Sequence, residues 1–192
     1  MVQWIRTRRP VRASRAALIV VASLLPGAAQ AQNIQAMPRV RSGETMIAQL
    51  IGDAQAASVT FRGLVAAIDA TNGIVYVESG QCRHRARACL VHSIQVAGPH
   101  RILRVIVNTR RDREGLTGAI GHELQHAMEV LSEPGITTSQ GMFFRLFGMS
   151  MGITGQLESK EAVEVGIQIE HEMRTTRRAG VRITPPTIRV PR

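Results

Sequence analysis

Three residues in the stretch Gly121 to Val130 carry types and a spacing that could do chemistry: His122, Glu123 and His126, in the order H-E-x-x-H. In a helix, residues four apart lie one turn above each other. Both imidazoles can then reach one point in space, and this is how a helix offers two nitrogen ligands to a zinc ion. Catalytic zinc takes three protein ligands and keeps a fourth position for water. A carboxylate beside that water can act as general base, and Glu123 stands where such a base is needed.

The helical phase of residues 112 to 131 bears on this reading. With His122 at zero, His126 falls at about 40° and Glu123 at about 100°, while Leu116, Ile120, Leu124, Ala127 and Leu131 fall between about 120° and 200°. The apolar stripe and the histidines therefore occupy different faces. A histidine that only fills a core belongs on the stripe, and these two do not.

The third ligand must come from elsewhere in the chain. A second amphipathic helix is expected from about residue 158 to residue 178. Ala162, Val165, Ile169 and Met173 share its apolar face, with Glu158 at the head of that stripe, whereas Glu161, Glu164 and Glu172 fall on a solvated face. A carboxylate directed at a core is costly unless it is paired or binds a metal. Glu158 is thus a candidate third ligand; the competing reading is a residue that caps its own first turn.

"HELQH" followed by "LESKEAVEVG" resembles the gluzincin class of zinc metallopeptidases, a branch of the zincins, over roughly residues 100 to 178. The chain also resembles small exported bacterial proteins with the same H-E-L-x-H and E-[ST] elements. The resemblance implies His122, His126 and Glu158 as ligands of a Zn2+ ion, Glu123 as general base, and a peptide or protein as substrate. It implies that the strand near Leu103 to Val107 edges the substrate cleft. In the family an Asp four residues after the Glu ligand holds a ligand histidine; here Ala162 stands at that position. Another group, such as a backbone carbonyl, must then hold the imidazole. Tyr76 and His171 are the candidates for polarising a substrate carbonyl.

The N-terminus reads as a secretory signal over residues 1 to 31: Arg6, Arg8, Arg9, Arg12 and Arg15, an apolar run from Ala16 to Leu25, then Ala29-Gln30-Ala31 as the cleavage pattern. A periplasmic or secreted location follows, with no stable membrane span after cleavage, because no second long apolar run is present. The whole chain has net charge +10. Without the signal, 19 basic and 14 acidic residues leave +5. The basic residues are scattered, apart from Arg83, Arg85 and Arg87, and read as a solvated face. Aromatics are few, so a nucleic-acid partner is a poor fit.

Cys82 and Cys89 close the segment "CRHRARAC". In an oxidising compartment such a pair commonly bridges; the alternative is a metal pair with His84 or His92.

The remaining elements must position these groups. Helices are expected at 44–56 and 58–70. "IVYVES", "CLVHSIQVAG" and "RILRVIVNT" read as three strands of a short antiparallel meander. The Phe- and Met-rich segment from Ser139 to Phe147 reads as a short helix roofing the core, with a lid or a membrane-touching patch as the alternative. Residues 184–192 form an extended tail. The whole is one α+β domain, residues 32–183, of zincin-like architecture: a small antiparallel sheet packed on an active-site helix and a ligand-bearing helix. The function this implies is zinc-dependent peptide hydrolysis; the alternative is a non-catalytic zinc-binding envelope protein on the same scaffold.

Overall fold

The computed structural model describes residues 37–110, 115–149 and 157–180. The expected signal segment and the C-terminal tail lie outside the described residues. The chain is α+β, with five strands and five helices among the described residues. In order they are β1 (Val40–Arg41), α1 (Thr45–Ala57), α2 (Val59–Asp69), β2 (Gly73–Ser79), β3 (Ala88–Leu90), β4 (Gln95–Ala97), β5 (His100–Val107), α3 (Leu116–Leu131), α4 (Ser139–Met149) and α5 (Lys160–Arg178).

The sheet is mixed rather than an antiparallel meander. β1 pairs β2 and β2 pairs β5 in parallel, the latter running from Gly73 opposite Arg101 to Ser79 opposite Val107. β3 and β4 pair antiparallel with the other side of β5, at Val105–Val107 and His100–Ile102 respectively. The segment read as one strand, "CLVHSIQVAG", is therefore two short strands broken between Val91 and Ile94. Alternation explains both the success and the failure. Val75 and Val77 in β2, and Leu103, Val105 and Val107 in β5, are fully buried on one face. A period of two reports which face is covered, and carries no information about strand direction.

The helices cover that face. α1 buries Ile47, Leu50, Ile51 and Ala54; α2 buries Phe61, Leu64, Val65 and Ile68. Each such side chain contributes about 1.5–3 kcal/mol on removal from water. α3 runs through the middle, against α5, α2, α4 and the sheet. Its expected stripe is buried in full: Leu116, Ile120, Leu124, Ala127 and Leu131. Its C-terminal end is held by a buried arginine. Arg101 in β5 donates to Leu131 O at 2.7 Å, Glu133 O at 2.8 Å and Asn72 Oδ1 at 2.7 Å. A cation at the negative end of a helix is favourable, so this arginine does not belong to a solvated face.

α3 and α5 approach closely because Gly118 faces Gly166. A Cβ at Gly118 would come within 2.8 Å of the Gly166 carbonyl oxygen. α4 occupies the expected segment and buries Met142 and Leu146 against α3, but Phe143, Phe144 and Phe147 remain on the surface. The roof is made by Met and Leu, not by the aromatics.

Candidate metal centre

α3 carries His122, Glu123 and His126, and the glycine contact brings α5 alongside. Glu158 lies just before α5 rather than in its first turn: Ser159 is the N-cap, and its Oγ accepts from Ala162 N at 3.1 Å. Extended backbone at Ser159 precedes the helix, so helical phase does not set the direction of Glu158. Its carboxylate nonetheless meets the histidines. Glu158 Oε2 lies 3.0 Å from His122 Nε2 and 3.9 Å from His126 Nε2. One ligand atom from each of the three residues lies within 4.8 Å of the others, a group that could hold a metal ion.

The donor set fits a cation. Tetrahedral coordination at zinc–nitrogen lengths separates ligand atoms by about 3.3 Å, so small side-chain adjustments suffice. Glu158 Oε2 is buried, and the imidazole nitrogen 3.0 Å away does not meet it in hydrogen-bond geometry, whereas a buried polar atom normally has a well-aligned partner. Three carboxylates, those of Glu123, Glu129 and Glu158, stand around the two imidazoles. His122 and then His126 hold the Glu158 carboxyl well below the usual carboxylate range, against its burial. Burial pushes the Glu123 carboxyl up, and the two imidazoles oppose that. Burial would lower His126, but the carboxylates of Glu129 and Glu158 outweigh it and hold the ring up to about 9.

Glu129 is the residue that sequence reasoning missed. It is buried, and its Oε2 lies 2.8 Å from His126 Nδ1, leaving Nε2 to face Glu158. Ser159 donates to its other oxygen at 2.5 Å. Burial would raise this carboxyl, yet His126 and Ser159 hold it below its ordinary value. Holding a ligand histidine through its second nitrogen sets the tautomer and orientation. Ala162 stands where the family has its holder, and the other group expected in its place is a carboxylate from the same helix, three residues after His126, rather than a backbone carbonyl. The signal was available: Glu129 falls at about −20° on the wheel of α3, on the histidine face.

Glu123 is half-buried and accepts a hydrogen bond from the backbone of Leu90 at 2.7 Å. Leu90 lies in β3, which stands at the edge of the sheet. The expectation that residues 103–107 edge the cleft is therefore corrected: β5 is interior, paired on both sides. A cleft of about 530 Å³ opens beside His122 and Glu123, lined also by Arg87, Ala88, Gly118 and Ile167. Gly115 begins α3 with φ 75°, and a Cβ there would press on Arg87 Nη1 at 2.7 Å.

The other candidates stand apart from the group. Arg41 donates to the Tyr76 hydroxyl at 2.6 Å, and His171 is exposed on α5. Cys82 and Cys89 form a disulfide, which removes both sulfurs from any metal pair with His84 or His92. His92, between β3 and β4, is lowered by burial and by the charge of His126.

Compared with family models, with curated proteins and with solved structures, the chain has no match. The resemblance stated above is therefore carried by the motif residues and by the site geometry alone.

Proposed function

We propose that the protein is an exported zinc-dependent peptidase of zincin type, with His122, His126 and Glu158 as ligands and Glu123 as general base. The single observation that carries this reading is the convergence of Glu158 on the two Nε2 atoms across 32 residues of sequence, with Glu123 beside them at the mouth of a cleft. A bound zinc would polarise a substrate carbonyl and acidify the attacking water. Glu123, its carboxyl raised by burial, would serve as the base that takes a proton from the attacking water and returns it to the leaving nitrogen. Glu129, itself held by Ser159, keeps His126 Nε2 turned toward Glu158, where it would hold the ion. The disulfide is consistent with export to an oxidising compartment. No helix among the described residues is long and apolar enough to cross a membrane.

A specific observation favours a second reading, a non-catalytic metal-binding envelope protein. Glu123 is hydrogen-bonded to Leu90, so it could act as a latch between α3 and β3 rather than as a base. One substitution separates the two. Glu123→Gln keeps size and hydrogen bonding to Leu90 but removes the base. A peptidase should retain zinc and lose turnover of a peptide library by about two to four orders of magnitude. Cleavage that survives Glu123→Gln unchanged, or a wild-type chain that binds zinc and cuts nothing, would refute the peptidase reading.

A further inference from the structure

The loop between β2 and β3 carries a run of exposed basic residues. Several other arginines find partners: Arg104 pairs with Glu78, Arg145 with Glu133, Arg62 bonds the Gln55 carbonyl, and Arg101 holds the end of α3. Arg83, His84 and Arg85 are consecutive, exposed, and without a side-chain hydrogen bond or ion pair among the described residues. The Cys82–Cys89 disulfide closes the loop on itself. Within it, His84 and Arg85 adopt φ of 54° and 57°, the left-handed region that side chains rarely occupy. Residues held in sparsely populated backbone conformations persist where surrounding structure fixes them, and they concentrate at binding sites. Here a covalent closure presents three adjacent basic side chains to solvent.

The loop is also placed where it could act. It runs directly into β3, and Arg87 and Ala88 line the cleft that His122 and Glu123 share. We propose that this loop is a docking element for an acidic polypeptide segment, selecting substrates that carry Asp or Glu clusters beside the stretch entering the cleft. The proposal rests on the peptidase reading for its purpose, though the binding itself does not. A polypeptide is favoured over other anions by what the loop lacks. Residues 83–86 offer no Phe, Tyr or Trp as a stacking platform, only the imidazole of His84, and no large apolar side chain to enter a bilayer. Guanidinium groups suit carboxylates, which they can bind through two parallel hydrogen bonds. The disulfide limits the ordering cost of binding, since the loop is closed before the partner arrives.

The test uses the full chain carrying Glu123→Gln, with and without zinc, and two fluorescent peptides alike except that one carries four Glu where the other carries four Gln. Anisotropy at about 50 mM salt should show the Glu peptide binding at least about tenfold tighter, and the preference should vanish at about 500 mM salt. Adding Arg83→Ser and Arg85→Ser, or reducing the disulfide, should remove the preference while circular dichroism and melting show a folded chain. Equal binding of the two peptides, binding of neither, or a preference that survives the double substitution would overturn the proposal. So would loop-dependent binding of single-stranded DNA or anionic vesicles in place of the Glu peptide. Failure of the peptidase reading is distinct: it appears as absent zinc or absent cleavage in the wild type, and leaves the anisotropy comparison intact.

Discussion

Glu129 does for this site what composition alone would never assign to it. Of the acidic side chains around the histidines, Glu123 and Glu158 stand in a recognisable pattern, and Glu129 looks like one more surface glutamate at the end of an amphipathic helix. Its burial, its contact with His126 Nδ1 and its hydrogen bond from Ser159 make it the group that orients a candidate ligand. Ser159 serves twice, capping α5 and holding Glu129, so the start of the ligand-bearing segment and the orientation of His126 depend on one hydroxyl. Glu129→Gln should weaken zinc binding about 10- to 100-fold, the usual cost of losing the carboxylate behind a ligand histidine. Competition with a chelator of known affinity measures it. Affinity equal to wild type would mean that Glu129 only fills space. His122 and His126 were legible because four-residue spacing on a helix is a geometric statement. Glu158 was legible as a candidate only, because its direction is set by extended backbone ahead of a cap, which no helical phase describes.

At the scale of elements, the sequence was most informative where periodicity is long. The stripes of α1, α2, α3 and α5 place these helices within a few residues of their observed bounds. The sheet was less legible. Three alternating segments are compatible with any strand direction, and the two three-residue strands β3 and β4 are too short to show a break between them. β1, with two residues, leaves no pattern at all. Glu172 shows the same limit on a helix. It falls at the border of the apolar stripe of α5 and reads as solvated, yet it caps α2. Its carboxylate accepts from Ser58 Oγ at 2.6 Å, Thr60 Oγ1 at 2.7 Å and Thr60 N at 3.1 Å. Burial would raise this carboxyl, but the hydrogen bonds from Ser58, Gln168 and Thr60 prevail and lower it from 4.5 to about 2. A lowered folded value means that the charged carboxylate contributes stability above about pH 4.5, and that this contribution is lost as pH falls toward 2. Glu172→Gln should therefore cost about 1–2 kcal/mol near pH 7, the scale of a lost helix cap, and progressively less below pH 5. Denaturant melts of both chains across that range check it; a difference that stays constant with pH would contradict the assignment.

For the whole molecule, the arrangement has a simple logic. The mixed sheet and α1 and α2 supply the core, Arg101 fixes one end of α3 to β5, and Gly118 against Gly166 brings α5 close enough for Glu158 to reach two histidines. The parts that the fold does not need are the parts left for function: a carboxylate directed at two imidazoles, a cleft at the edge strand, and the exposed Arg83 and Arg85 in the loop beside it. We propose that His122, His126 and Glu158 thereby assemble one metal centre. Metal analysis of the purified chain from residue 32 onward, after equilibration with zinc and removal of excess, tests it most directly. About one zinc per chain is expected in the wild type, and loss of that zinc in His122→Ala, His126→Ala and Glu158→Ala, with each variant still folded by circular dichroism. A wild-type chain that retains no zinc, or a His126→Ala or Glu158→Ala chain that retains it in full at wild-type affinity, would contradict it.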